Sequence, residues 1–151
     1  MNAGVATWPR RSIQSVIAPR ETKNPARLGT DTFLYVDIDA LDNKNQRISS
    51  PKQLAVAEAP SRARVGMQSG DVLVSLVRPY LKNIAIVPSE LDGHIASTAY
   101  CPLRPLDDID SKFLFYQLIQ DSFIKSIPTY GNSPPAARDD EFLQLQIAVP
   151  S

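Results

Sequence analysis

Thirteen prolines are spread through 151 residues, against six glycines. Each proline fixes φ and removes a backbone N–H, so it interrupts helix interiors and central strands. That density points to many short elements joined by stiff connections rather than to a helix bundle. The hydrophobic fraction, 43%, is enough for a core. One domain of this length buries roughly two-thirds of its unfolded surface.

The prolines bracket segments that can be read one by one. Ser12–Ala18, with Trp8, predicts a short strand or helical turn, followed by an exposed loop from Arg20 to Pro25. Phe33–Ile38 alternates, with Leu34, Val36 and Ile38 pointing one way, which predicts a half-buried strand. Asp42–Pro51 reads as a polar loop. Ala55–Arg64 is helix-compatible but broken by Pro60, with Ser61 able to cap a short turn carrying Arg62 and Arg64. Gln68–Asp71 reads as a turn, Val72–Val77 and Ile84–Val87 as strands, and His94–Leu103 as one extended segment. Asp110 or Ser111 can cap a helix over Ser111–Lys125, whose apolar side includes Phe113, Leu118 and Phe123. Ile127–Arg138 reads as a long loop and Leu143–Val149 as a closing strand. The expected class is α+β: a twisted, partly barrel-like, mostly antiparallel sheet with one or two packed helices.

Charge is balanced overall, with 16 basic and 16 acidic residues, but unevenly placed. Residues 62–88 carry four basic residues and one acidic, whereas residues 89–151 carry four basic and nine acidic. A neutral chain of this kind can still present a basic face. No apolar stretch approaches the roughly 18 residues of a membrane span, and no signal-peptide pattern opens the chain, so the expected location is the cytoplasm with no membrane partner. Cys101 is the only cysteine and His94 the only histidine. They cannot together build a zinc site, and no phosphate-binding glycine motif occurs. An enzyme reading would rest on Asp71, Asp92 or His94 with a bound metal. Cys101, flanked by Tyr100 and Pro102, reads as a buried strand thiol.

The polar groups worth most attention sit in stiff connections. Arg78-Pro79-Tyr80-Leu81-Lys82-Asn83 joins two strands, and Arg62 and Arg64 follow Pro60-Ser61. Cations on short, rigid turns suit phosphate contacts, since little entropy is lost on binding. They serve equally well as internal staples of loop carbonyls.

Ala59-Pro60-Ser61-Arg62-Ala63-Arg64, Gly70-Asp71-Val72-Leu73-Val74-Ser75 and Val77-Arg78-Pro79-Tyr80-Leu81-Lys82-Asn83 occur in this order. With Ile95–Tyr100, Phe113–Leu118, Gly131–Ala136 and Leu145–Pro150, they resemble the target recognition domain of the specificity subunit of type I restriction–modification systems. The resemblance covers about residues 7–150. It implies sequence-specific binding of double-stranded DNA, one half-site of a split target per domain. It also implies a complex with a modification subunit, which methylates adenine N6 using S-adenosylmethionine, and with a restriction subunit. It implies no catalytic residue, metal or cofactor in the domain itself.

Arg62, Arg64, Arg78, Tyr80, Lys82 and Asn83 lie in motifs shared by family members with different targets. They are therefore expected to hold the DNA backbone or brace the reading loops. The base readers are expected in the idiosyncratic loops: Lys23 and Asn24; Asn43, Asn45 and Arg47; Tyr130, Asn132, Ser133 and Arg138. The expected organisation is a single recognition domain over 1–151, with 1–6 disordered and no spacer helix after 150. The alternative is a protein-interaction module of the same fold that has lost DNA binding.

Overall fold

The computed structural model describes residues 8–132 and 134–150; the expectations for residues 1–6 and for Ser133 lie outside them. Among the described residues, eleven short strands and three short helices alternate with 3-10 turns. Strands β2 (Thr32–Val36), β5 (Lys52–Ala55), β6 (Ala63–Gly66) and β9 (Ile95–Ser97) form a four-stranded sheet in the order β5-β2-β9-β6. The β2–β9 pair is parallel and the others antiparallel. Strands β7 (Val72–Ser75), β8 (Ile84–Ile86) and β10 (Tyr100–Leu103) form an antiparallel sheet in the order β10-β7-β8. Strands β1 (Arg10–Ser12) and β11 (Gln146–Ala148) pair near the two chain ends, and β3 (Leu41–Asp42) pairs with β4 (Arg47–Ile48) in a hairpin. The class is α+β and mostly antiparallel, and among the described residues no sheet closes into a barrel.

Strands β2, β7, β9 and β10 send buried side chains to both faces, and they separate the core into layers. From β7, Val72 and Val74 join Ile13, Ile84, Leu114, Leu118 and Phe142 beneath the helices. Leu73 points the other way, towards Val36, Met67, Leu91 and Tyr100 between the two sheets. From β2, Val36 enters that middle layer, while Phe33 and Tyr35 pack with Ala63 and Ile95 on the far side. The sequence expectation of one inward face on this strand is therefore corrected. The 3-10 turn at Val56–Glu58 covers Phe33 and Tyr35, and Ile38 lies beyond the strand, 39% exposed.

Other differences have local causes. Asp42–Pro51 is not a plain loop, because the Asp42 carboxylate accepts from Lys44 N–H (3.0 Å), Asn45 N–H (3.3 Å) and Asn45 Nδ2 (2.7 Å), closing a hairpin. His94–Leu103 is two strands, because Ser97 Oγ accepts from Ala99 N–H at 3.1 Å and turns the chain from one sheet to the other. The expected helix over 111–125 is two: α1 (Ser111–Leu118), capped by Asp110 at Phe113 N–H, and α2 (Asp121–Lys125). Gln120 Nε2 donates to Tyr116 O (2.8 Å), where Ile119 ends the first. A third helix, α3 (Asp139–Gln144), replaces the start of the expected closing strand, with Asp139, Asp140 and Glu141 in its first turn, where carboxylates are favoured. No helix among the described residues is long and apolar enough to cross a membrane.

Candidate nucleic-acid interface

The β7–β8 connection is held in an unusual backbone. Pro79–Leu81 is a single 3-10 turn, flanked by Arg78 (φ 48°) and Lys82 (φ 55°), both left-handed. Left-handed geometry costs a non-glycine residue roughly 1–2 kcal/mol. Gln46 (φ 54°) is the third such non-glycine residue among those described, and it touches the same connection. Gln46 Nε2 donates to Lys82 O at 2.6 Å and to Asn43 O at 2.8 Å, while Asn43 Nδ2 donates to Leu81 O at 3.1 Å. The β3–β4 turn thus clamps the carbonyls of the connection.

The other side of the connection is tied to the 127–138 loop. Arg78 N–H donates to Pro135 O (2.8 Å) and Ala137 N–H to Leu76 O (2.7 Å). Leu76 N–H in turn reaches Ala99 O (3.3 Å), and Thr98 N–H reaches Arg62 O (2.9 Å). A relay of backbone bonds therefore joins the turns that carry Arg62, Arg78 and Arg138. All three side chains are exposed and take part in no ion pair among the described residues. Tyr80, 59% exposed, stands on the same connection, as does Leu81.

Lys82 differs from its neighbours. Its ammonium lies 2.5 Å from Asp121 Oδ1 at the start of α2, and this hydrogen bond, followed by the lysine charge, holds the Asp121 carboxyl below its ordinary value. Asn83 is half-buried, and its carbonyl accepts from Ser75 N–H (2.9 Å) across the hairpin.

The remaining candidates fall into further groups. Lys23 and Arg64 meet at the β6 edge, where Lys23 N–H donates to Arg64 O (2.8 Å) and Arg64 Nη1 to Ala63 O (2.8 Å). Lys23 Nζ reaches Gly93 O (3.3 Å), and Asn24 Oδ1 caps the 3-10 turn at Pro25–Arg27 by accepting from Ala26 N–H. Both side chains thus brace loops. Asn45 is engaged by Asp42, as above, and the exposed Arg47 lies 4.0 Å from the same carboxylate. Tyr130 and Asn132 are exposed on the loop that Tyr130 closes by exchanging two backbone bonds with Ala136 (2.8 and 2.9 Å). Arg138 lies over the Tyr130 ring at 3.8 Å. Sequence reasoning missed the partners that set this geometry: Gln46, Asp121 and Glu141. Gln46 lay within an expected reading loop, Asp121 within the expected helix over Ser111–Lys125 and Glu141 within an acidic run, but none carried a signal of its partner.

The residues of the enzyme reading hold backbone instead. Asp71, 1% exposed, is gripped by Arg104 and accepts from Gln68 N–H (2.9 Å). Asp92 accepts from Ser69 N–H (2.8 Å), and His94 Nδ1 from Leu34 N–H (3.0 Å). Among the described residues no three His, Cys, Asp or Glu side chains converge as a metal site. Cys101 is buried, and burial pushes its thiol up to about 11, against the nearby Arg20 charge.

No protein-family model matches the chain, and no curated protein does. Solved structures do. The HsdS subunit from Thermoanaerobacter tengcongensis is 37% identical, with a TM-score of 0.86 over 95% of this chain and 38% of its own. A chain solved in work on complex assembly and conformational transition of the type I R-M system gives the same identity, TM-score and coverage. The type I S subunit from M. genitalium, at 16% identity and a TM-score of 0.58, shares the fold. This chain spans 38% of the length of the first two. Over nearly its whole length it is therefore a domain-sized relative of the specificity subunits of type I restriction–modification systems.

Proposed function

We propose that this chain is a single, non-catalytic target recognition domain. It binds one half-site of a bipartite double-stranded DNA target as the specificity component of a type I complex. Its partners there are a methyltransferase (modification) subunit and a restriction subunit, and the complex works in the cytoplasm. The observation that carries this reading is the backbone-tied turns presenting Arg62 and Arg78 without carboxylate partners among the described residues. Rigid, unpaired cations grip phosphates with little ordering cost.

Within this reading Arg62, Arg78 and Lys82 hold the DNA backbone, while Arg64 and Asn83 brace. Tyr80 lies against the sugar–phosphate edge. The 43–47 and 130–138 loops face the bases. One half-site supplies only part of the contacts, so the isolated domain binds weakly. A second reading, a protein-interaction module, is favoured by the exposure of Tyr80 and Leu81 on the same connection.

The test is selection of a randomised duplex library on the purified chain at low salt, followed by sequencing of the retained fraction. Enrichment of a short motif is expected. No retention of DNA at any salt, with salt-independent capture of a purified modification subunit, would replace the DNA reading with the second one.

A further inference from the structure

Arg138 ends the 127–138 loop and caps α3 in extended geometry (φ −103°, ψ 136°). Its guanidinium lies 3.8 Å from the centre of the Tyr130 ring. The ring is itself fixed. Its hydroxyl donates to Glu141 Oε2 at 2.8 Å, and its backbone exchanges two bonds with Ala136. Glu141 Oε1 is buried without a hydrogen-bond partner, so the Tyr130 hydroxyl is the donor this carboxylate depends on among the described residues.

The three residues after Arg138 are acidic, yet each is engaged elsewhere. Asp139 pairs with Arg20, Asp140 Oδ1 accepts from Glu141 N–H (3.0 Å), and Glu141 holds Tyr130. Arg138 is exposed, and its guanidinium makes no ion pair or hydrogen bond among the described residues. Stacking uses the face of a guanidinium and leaves its in-plane N–H donors open.

Two consequences narrow what those donors meet. Neighbouring carboxylates repel phosphates, so this cation is a poor backbone grip compared with Arg78. A short bidentate contact is far less sensitive to that background, and of the four bases guanine alone offers paired acceptors, O6 and N7, in the major groove. We propose that Arg138, positioned on Tyr130, is a specificity-determining residue that reads a guanine edge in the half-site. The inference rests on the DNA-binding reading above and names one reader within it.

The test repeats the library selection with the whole chain and with Arg138→Ala, Arg138→Lys, Tyr130→Phe and Arg78→Ala, each checked for an unchanged melting temperature. The wild-type motif should contain a guanine preferred by roughly 5- to 150-fold. Arg138→Ala should erase that preference at one position and leave the others. Arg138→Lys, which lacks the fork, should restore only part of it, and Tyr130→Phe should weaken the same position. Arg78→Ala should lower binding to all duplexes alike. A wild-type motif that survives Arg138→Ala at every position, or a uniform loss of affinity in that variant, would overturn the assignment. Failure of the wild-type chain to enrich any motif would instead bring down the DNA reading itself, and this inference with it.

Discussion

Arg104 grips Asp71 with two parallel hydrogen bonds, Nε to Oδ1 at 3.0 Å and Nη2 to Oδ2 at 3.1 Å. The same Nη2 reaches Glu21 Oε1 at 3.1 Å. The pair ties the residue before β7 to the residue after β10, just beyond the Val72–Leu103 register. Removing Arg104 leaves a buried carboxylate without its cation, which costs roughly 3–5 kcal/mol in general. Arg104→Ala should fall near the lower end, because the arginine side chain is 24% exposed. Urea denaturation measures it, and a loss below about 1 kcal/mol would show that water replaces the guanidinium.

The left-handed residues predict a trade between stability and binding. Glycine adopts positive φ freely, so Arg78→Gly should stabilise the fold by about 0.5–1 kcal/mol while weakening duplex binding. Paired denaturation and binding measurements decide the matter. Lower stability in that variant would mean that the arginine side chain, not the backbone, holds the connection.

Asp121 occupies the lysine that the DNA reading assigns to a phosphate. Asp121→Asn should therefore raise duplex affinity at low salt and steepen the salt dependence by up to about one unit. An unchanged slope would remove Lys82 from the interface. Because the folded-state value of this carboxyl is depressed, the ion pair is complete above the ordinary carboxylate pKa and fades only as pH falls through the lowered value. Titration of Asp121 should therefore contribute no pH dependence to binding between pH 6 and 8, roughly, well above carboxylate values.

Cys101 makes a prediction at the alkaline end. Burial raises its folded pKa from 9.0 to about 11, so the unfolded thiol ionises first. Stability should be constant below that range and decline as pH rises from about 9 towards 11, where the unfolded chain binds fewer protons. Cys101→Ala should flatten this decline between about pH 9 and 10, below the ordinary tyrosine range. Alkylation should require unfolding, and rapid native-state alkylation at pH 8 would contradict the burial.

Strands built from continuous apolar runs were legible in the sequence. Val72–Ser75 and Ile84–Ile86 lie inside their expected ranges, because a strand buried on both faces needs apolar residues at every position. The Asp110 cap was legible for the same reason that caps are local. What escaped depended on distant partners. The alternation of Phe33–Ile38 pointed to Leu34 and Val36, yet Phe33 and Tyr35 are also buried, under a turn some twenty residues away in sequence. At the interface the motif residues were visible, but the turns bearing Arg62, Arg78 and Arg138 are linked through backbone bonds that involve Thr98, Ala99, Pro135 and Ala137. No spacing along the chain encodes that relay. Gln46, Asp121 and Glu141 carry no motif at all; they act because the fold delivers them to Lys82 and Tyr130.

The pairing of β1 with β11 sets Arg10 opposite Ala148 and Ser12 opposite Gln146, so the first and last strands leave the domain side by side. A longer polypeptide would enter and depart through one narrow seam, and its flanking parts would never have to bridge the body of the domain. A unit attached in this way can be exchanged for another of the same closure without moving its surroundings. A new reading surface could then be acquired by splicing at a single place, with the supporting architecture untouched.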